Sequence, residues 1–198
     1  MLWLSELSEE KKAAVKRLVN NSDRIASLLG LRLLKMCAQD DGVEYFRLSD
    51  IQYPKPGKPV WQSKKNHAFD FNISHSVNMA VAVTSKTVQA GVDVEKIRAL
   101  KNLNFKMVLS TDELNQISET PELFFDLWSK KEAVVKAANT VGLARMRDVA
   151  LNGDLAVLDE VTWHLKRSDL NDQYVVNLAT SEPVEDLIIK VFSIDELR

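Results

Sequence analysis

Apolar residues recur at helical spacing in the first forty residues of the chain, and this spacing predicts helical structure over residues 8–39. Ser8, followed by two glutamates, is a suitable N-cap for this segment. Gly30 either breaks the helix or lets another element pack closely against it. The apolar positions that carry the pattern are Leu18, Ile25, Leu28, Leu29, Leu33 and Leu34.

The period of the apolar positions changes to two after the proline-rich segment YPKPGKP (53–59), which itself predicts a loop. Two alternating runs flank the short break HSVN (75–78) and predict a β-hairpin. The run VQAGVDVE (88–95) predicts a further strand, with its apolar side chains on one face. The alternating apolar residues are Phe69, Phe71, Ile73, Met79, Val81, Val83, Val88, Ala90, Val92 and Val94.

The second half repeats the change from helix to strand. A helix is predicted over residues 121–138, with Thr120 as its cap and Pro121 as its first residue. Its apolar stripe consists of Phe124, Leu127, Val134 and Ala138. Three strands are predicted in the last third of the chain, at residues 161–167, 173–179 and 186–192.

Helices followed by antiparallel strands in each half predict an α+β fold. The change of pattern between the halves places a domain boundary so that residues 1–86 form one half and residues 87–198 the other. The two halves show no sequence similarity to each other that would establish a duplication.

Composition excludes several classes of protein. Apolar residues make up 45% of the 198 positions and charged residues 27%, which excludes collagen-like, low-complexity and disordered chains. With 26 basic and 28 acidic residues the net charge is −2, which argues against a nucleic-acid-binding protein. The single cysteine, Cys37, lies in an apolar run and is expected to be a buried small residue.

The expected location is the cytoplasm. One cysteine and an N-terminal segment without the basic and apolar regions of an export signal both favour it. No apolar run approaches the roughly 18 residues of a membrane-spanning helix, so no membrane association is expected.

Two acidic residues are the first candidates for chemistry. Asp93 and Glu95 are two apart on a predicted strand, so their carboxylates project from the same face. Neighbouring carboxylates repel each other unless a cation lies between them, and oxygen ligands of this kind suit Mg²⁺. The alternative is that they form the solvated side of a strand end.

The predicted helix over residues 121–138 carries a second set of charges. Trp128, Glu132 and Lys136 are four residues apart and form one stripe, with Lys131 on its edge. Glu132 and Lys136 alone would make a surface ion pair. Combined with Asp93, Glu132 is a candidate third carboxylate for the same ion, and the lysines could neutralise a bound phosphate.

Two loops hold further candidates. His75 lies at the break between the alternating runs, in NISHS (72–76), and is expected in the hairpin loop among small polar residues that could hold an anion. Lys58, in GKP (57–59), brings a charge to a stiff segment, although a plain solvated loop is the default reading. His67 and His164 lack such surroundings and receive no role.

Four motifs together resemble the 4'-phosphopantetheinyl transferases, in the long, monomeric type that activates peptide synthetases, polyketide synthases and fatty-acid carriers. In chain order they are GKP (57–59), FNISHS (71–76), GVDVE (91–95) and LWSKKEAVVK (127–136). The resemblance covers about residues 5–140.

This resemblance implies a pseudo-dimeric α+β fold with the active site in the cleft between two similar halves, and a monomeric enzyme. It also implies a reaction in which coenzyme A and Mg²⁺ bind and a serine hydroxyl of an apo carrier protein attacks the β-phosphate. Phosphopantetheine is transferred to the serine, and adenosine 3',5'-bisphosphate leaves.

The resemblance also implies roles for single residues. Asp93, Glu95 and Glu132 match the Mg²⁺ ligands, and Glu132 is the candidate base toward the serine. The residues that match contacts to coenzyme A are Lys136 and Lys131 at the pyrophosphate, Ser74 and His75 at the other phosphates, Lys58 on the adenosine side, and Lys11, Arg24 and Ser27 in the N-terminal helices. Glu113 matches a recurring acidic position for which no role follows.

The carrier protein is expected to dock beside the cleft, on the segment NLNFKMVLS (102–110). Phe105 and Met107 would supply apolar contacts there, unless they pack in the core, and Lys101 and Lys106 would attract an acidic carrier.

Two other functions fit parts of the pattern. A metal-dependent nuclease or phosphohydrolase would use the same acids, but such enzymes commonly separate an acid and a lysine by one strand position, whereas Lys96 follows Glu95 directly. A non-catalytic binder of coenzyme A or of a carrier protein would not need three acids and Lys136.

Overall fold

Two long helices, one in each half of the chain, pack against antiparallel strands, which confirms the expected α+β class. The computed structural model describes residues 2–61, 69–100, 105–117 and 121–197. Its helices are α1 Leu2–Ser5, α2 Glu9–Arg17, α3 Asn21–Asp40, α4 Thr111–Gln116, α5 Pro121–Ala137 and α6 Leu143–Asp148. Its strands are β1 Ile51–Gln52, β2 Val60–Trp61, β3 Asp70–Ser76, β4 Met79–Ser85, β5 Ala90–Lys96, β6 Ala150–Asn152, β7 Leu155–Leu158, β8 Val161–Ser168 and β9 Tyr174–Thr180. None of the helices in these ranges is both long and apolar enough for a membrane span.

The predicted N-terminal helical segment consists of two helices, α2 and α3. Ser8 caps α2 as expected, because its Oγ accepts a hydrogen bond from the backbone N–H of Lys11 at 3.3 Å. Gly30 does not break α3. A Cβ atom at this position would lie 2.4 Å from Cγ2 of Ile73, so glycine allows α3 to pack directly on β3.

Strands β3 and β4 form the predicted hairpin, but its turn is shorter than expected. Ser76 pairs with Met79, so the turn contains Val77 and Asn78 alone, and Val77 has a φ of 53°. His75 therefore lies within β3, opposite Ala80, and the prediction that it occupies the hairpin loop is wrong. The hydrophobic pattern could not show this, because a two-residue turn does not interrupt the alternation.

The second half is an antiparallel sheet in the order β5-β9-β8-β7-β6, with α5 packed on the face of β5 and β9. Gly91 is required for this packing, because a Cβ atom there would lie 2.2 Å from the carbonyl oxygen of Ala133. The opposite face of β5 presents Val92 and Val94 to the hairpin, where they pack among Met79, Val81 and Val83. Strand β5, which carries Asp93 and Glu95, thus lies between the two halves.

The C-terminal third differs from its prediction in two places. The strands predicted at 161–167 and 173–179 are confirmed as β8 and β9, whereas residues 186–192 form no strand. In that segment Ile188 is 81% exposed and Val191 is 73% exposed, although Leu187 and Phe192 line a cavity of about 1170 Å³ beside α3 and β4. The short strands β6 and β7 were not predicted, because three or four residues carry too little alternation.

Cys37 lines the same cavity from α3 and is half-buried rather than fully buried. Burial raises the pKa of its thiol, and the negative charges of Asp41 and Asp40 raise it further. The thiol is therefore held in its neutral form, as expected for a small residue in apolar surroundings.

Candidate active site

Asp93 is at the centre of the site, on the face of β5 that α5 covers, and it is 3% exposed. Its Oδ1 accepts hydrogen bonds from Ser74 Oγ at 2.8 Å and from Lys136 Nζ at 2.7 Å. Its Oδ2 is buried and makes no hydrogen bond to the described residues. A buried carboxylate oxygen without a partner is costly, so the site retains an unmet demand for a cation or a donor.

Lys136 joins the acid of the strand to the acid of the helix. Its Nζ lies 2.7 Å from Asp93 Oδ1 and 3.9 Å from Glu132 Oε1. The close approach of α5 at Gly91 is what allows this lysine to reach β5. Asp93 and Glu132 therefore face the same small volume, as the sequence predicted, and share one ammonium group.

The carboxylates of Glu95 and Glu132 are both held in surroundings that disfavour their charge. Burial and the charge of Asp93 raise the pKa of Glu95. Burial raises the pKa of Glu132, with a further increase from Asp93 and an opposing effect of Lys136. A carboxylate whose pKa is raised by a neighbouring negative charge is typical of sites that bind a cation.

Carboxylate oxygens are the ligands that Mg²⁺ prefers, and the orphaned Oδ2 of Asp93 is an oxygen that a cation would satisfy. The donor chemistry therefore fits this ion. Within the described ranges, however, no group of three Asp, Glu, His or Cys side chains is arranged to hold a metal ion. Glu95 contacts Ser76 at 3.1 Å and Arg98 at 3.5 Å.

Positive charges gather around His75, which lies at the surface beside the acids. Loss of solvent around its ring lowers the pKa of His75, and the charges of Lys136 and Lys11 lower it further, while Asp23 opposes them. Lys11 itself lies 4.9 Å above the ring of Tyr53. The charges of Lys11 and Lys136 thus both act at His75, where a phosphate group would be attracted.

Lys58 does not present its charge to this region. Its Nζ forms an ion pair with Asp70 at 2.6 Å and donates to the carbonyl of Ala90 at 2.8 Å, in a buried position. Its backbone N–H donates to Asn139 Oδ1 at 2.6 Å. Lys58 therefore ties the proline-rich loop to β3, β5 and the end of α5, and its expected place on the adenosine side of coenzyme A stays a prediction.

Lys131 is fully buried on the side of α5 that faces the core. Its Nζ pairs with Glu113 at 3.0 Å and donates to the carbonyls of Val149 at 2.8 Å and Met146 at 3.3 Å. The expectation that it contacts the pyrophosphate is not met. The same contact explains Glu113, which also completes the capping box of α4 with Ser110.

Arg24 caps the C-terminus of α2, the preceding helix. It donates to the carbonyl oxygens of Leu18 at 2.7 Å and Lys16 at 3.2 Å. These are carbonyls at the C-terminus of α2, where a cation is favourable. Ser27 lies three residues further along α3 and is half-buried.

Four polar side chains of β3 bind the open edge of β5, and the sequence analysis predicted none of these contacts. Asp70, Asn72, Ser74 and Ser76 accept hydrogen bonds from the backbone N–H groups of Ala90, Val92, Val94 and Lys96, at 2.7, 3.0, 3.4 and 3.1 Å. Asn72 and Ser76 were considered only as possible anion ligands. The signal was the strict alternation of short polar residues in DFNISHS, on a strand face where Asn72, Ser74 and Ser76 are buried.

The segment expected to dock a carrier protein is divided between core and surface. Phe105 packs on Phe124 with ring centres 4.3 Å apart, and Val108 and Leu109 are buried, whereas Met107 is 51% exposed beside the exposed Lys106. Lys101, His67 and Thr120 lie outside the described residues.

Comparison with known families identifies the chain. The family model described as the 4'-phosphopantetheinyl transferase superfamily matches residues 89–191, and the model described as 4'-phosphopantetheinyl transferase, N-terminal, matches residues 1–87. The chain therefore belongs to the 4'-phosphopantetheinyl transferase superfamily, and it is an enzyme of that class. The family expected from the four motifs is confirmed.

Curated relatives are similar over different shares of the chain. The L-aminoadipate-semialdehyde dehydrogenase-phosphopantetheinyl transferase of Mus musculus is 25% identical over 92% of this chain and 70% of its own length. The 4'-phosphopantetheinyl transferase psf-1 of Bacillus pumilus is 31% identical over 66% of this chain and 57% of its own. The 4'-phosphopantetheinyl transferase HetI of Nostoc sp. is 29% identical over 51% of this chain and 46% of its own.

Proposed function

We propose that this enzyme transfers the 4'-phosphopantetheine group of coenzyme A to a serine hydroxyl of an apo acyl or peptidyl carrier protein, in a Mg²⁺-dependent reaction that releases adenosine 3',5'-bisphosphate. Family membership supports the class of reaction. The observation that carries the site is the buried Asp93, whose Oδ2 is orphaned and whose Oδ1 shares Lys136 with Glu132.

Asp93, Glu95 and Glu132 would hold the Mg²⁺ ion. When bound, the ion would neutralise charge on the diphosphate of coenzyme A. Lys136 would add a second positive charge at the same place, because phosphoryl transfer depends mainly on positioning and charge neutralisation.

Glu132 is the proposed base. Burial raises the pKa of its carboxylate, so it accepts a proton more readily than an exposed glutamate does. It would take the proton of the carrier serine as the serine oxygen forms a bond to the β-phosphorus. The bond from that phosphorus to the bridging oxygen breaks, and the bisphosphate departs with the bonding pair.

Ser74, His75 and Lys11 are the proposed contacts to the phosphates of coenzyme A, with Ser27 further along the nucleotide side. The charges around His75 support this arrangement. Lys58, Lys131 and Arg24 are engaged with other partners. We therefore propose that they stabilise the structure around the site, and that Lys131 and Arg24 do not contact coenzyme A.

The remaining parts of the proposal concern the whole molecule. We propose that residues 1–86 and 87–198 act as the two halves of a pseudo-dimeric monomer, with coenzyme A in their cleft, and that the enzyme acts in the cytoplasm. The packing of Val92 and Val94 between the hairpin and the second sheet supports the two-half arrangement.

The test mixes the protein with coenzyme A, MgCl₂ and an apo carrier domain, and follows the carrier by mass spectrometry. The proposal expects the carrier to gain one phosphopantetheine group, and a carrier with alanine in place of its acceptor serine to gain none. Cleavage of coenzyme A without modification of the carrier would indicate a phosphohydrolase instead. Binding of coenzyme A without any turnover would indicate a non-catalytic binder.

A further inference from the structure

Strand β5 is bound differently along its two edges. One edge pairs with β9 through ordinary backbone hydrogen bonds. Along the other edge, alternate N–H groups from Ala90 to Lys96 donate to side chains of β3, always twenty residues earlier in the chain. We name these four contacts the side-chain ladder.

Each of the two serines of the side-chain ladder also donates a hydrogen bond to an acidic side chain of β5. Ser74 accepts from the N–H of Val94 and donates to the carboxylate of Asp93 at 2.8 Å. Ser76 accepts from the N–H of Lys96 at 3.1 Å and donates to the carboxylate of Glu95 at 3.1 Å. Each hydroxyl therefore joins a backbone N–H of β5 to the acidic side chain that precedes it.

This double contact fixes the direction of the hydroxyl proton. A serine hydroxyl has one proton and two lone pairs. Because the N–H of Lys96 uses a lone pair of Ser76, and because Ser76 is buried, the proton is directed at Glu95. The side chain has little freedom to turn elsewhere.

Glu95 needs such a restraint. Its carboxylate lies on the same face of β5 as that of Asp93, and neighbouring carboxylates repel each other. Arg98, which is more than half exposed, lies 3.5 Å from the same Oε2 atom of Glu95 that Ser76 contacts. Without the hydroxyl of Ser76, Arg98 would be the remaining contact of this oxygen and would draw the carboxylate toward solvent.

We propose that Ser76 is a positioning residue of the metal site, which holds the carboxylate of Glu95 beside Asp93. The inference rests on the proposed function, because Glu95 is a metal ligand only within it. Partners of metal ligands commonly change metal affinity by about 10- to 100-fold when they are removed.

Asn72 provides a matched control within the side-chain ladder. Its Oδ1 accepts from the N–H of Val92 at 3.0 Å, so Asn72→Ala removes one contact of the ladder. The residue before Val92 is Gly91, whereas an acid precedes each N–H that donates to a serine of the ladder. Asn72 therefore has no neighbouring acidic side chain to orient. A purely structural role of the ladder would make Ser76→Ala and Asn72→Ala alike.

The experiment measures Mn²⁺ binding by electron paramagnetic resonance in the presence of coenzyme A, together with Tm, for the full-length wild type and variants. We expect Ser76→Ala to raise the Kd for Mn²⁺ about tenfold. Asn72→Ala should lower Tm and leave the Kd within about twofold of wild type. Ser76→Thr, which keeps the hydroxyl, should restore the affinity.

Wild-type affinity in Ser76→Ala would overturn the inference, as would an equal loss in Asn72→Ala or a failure of Ser76→Thr to restore binding in a folded protein. These outcomes differ from failure of the proposed function, in which the wild type itself would bind no Mn²⁺ with coenzyme A.

Discussion

Lys136 on α5 and Asp93 on β5 form an ion pair in which the acid is buried and the lysine is partly exposed, with Nζ 2.7 Å from Oδ1. The pair connects the helix to the strand at the point where both carry acidic residues. Because its Oδ2 has no hydrogen-bond partner among the described residues, Asp93 remains under-satisfied even with Lys136 in place.

Lys136→Ala should destabilise the protein more than Lys130→Ala. Removal of one partner from a buried ion pair costs about 3–5 kcal/mol, and Asp93 would retain the Ser74 contact. Lys130 also pairs with a buried acid, Asp126, but that acid keeps Arg167 at 3.4 Å and Asn177 at 3.1 Å.

Urea unfolding with and without Mg²⁺ measures this difference. Mg²⁺ should restore part of the stability of Lys136→Ala, because a cation would replace the lost ammonium near Asp93. Equal stability of the two variants would show that the Lys136–Asp93 pair contributes no more to stability than the Lys130–Asp126 pair.

Lys131→Met should lower stability without changing the KM for coenzyme A. The variant leaves Glu113 without its buried cation and should cost about 3 kcal/mol in the free energy of unfolding. The double variant Lys131→Met with Glu113→Leu should recover much of this loss, because both charges are then absent. A large rise in KM at unchanged stability would instead show that Lys131 contacts coenzyme A.

Gly91→Ala should damage both fold and activity. The added Cβ would lie 2.2 Å from the carbonyl of Ala133 and 2.4 Å from the backbone nitrogen of Ala137, so α5 must move away from β5. Overpacking of this kind costs about 1–3 kcal/mol, and the shift would separate Lys136 from Asp93. Gly42→Ala meets no atom within 4 Å but has a φ of 74°, so it is the control for backbone strain without overpacking. Tm and kcat of both variants should separate them, and a fully active Gly91→Ala would refute this role of the glycine.

Met107→Glu should raise the KM for the carrier protein and spare that for coenzyme A. Met107 is 51% exposed, and a negative charge there would repel an acidic carrier. Val161→Glu, at a 47% exposed position on β8, provides a surface control. If both variants behave like the wild type toward the carrier, the docking surface lies elsewhere.

Local sequence patterns were enough to predict the main elements and the position of the acids. Ser8 as a cap and α5 beginning at Pro121 follow from the residue types alone. That Asp93 and Glu132 lie close together could be predicted, because the period of a strand and the period of a helix each show which face of the element a residue occupies. Gly91, beside Asp93, is the residue that then lets the two elements touch.

Partners of the charged residues could not be predicted in the same way. Lys58, Lys131 and Arg24 are cations in the sequence, but their partners are Asp70, Glu113 and the carbonyl of Leu18. Such pairings depend on tertiary distances that spacing does not encode. The segment 186–192 is rich in the apolar and β-branched residues of a strand, yet it pairs with no strand of the described sheets.

The most direct test of the site is the binding of Mn²⁺ to Asp93→Asn, Glu132→Gln and the double variant in the presence of coenzyme A. If both acids hold one ion, the wild type binds a single Mn²⁺ near them. Each single variant should then weaken binding at least about tenfold, and the double variant should lose much less than the product of the two effects. Wild-type affinity in either single variant, with the protein folded, would contradict a shared ion.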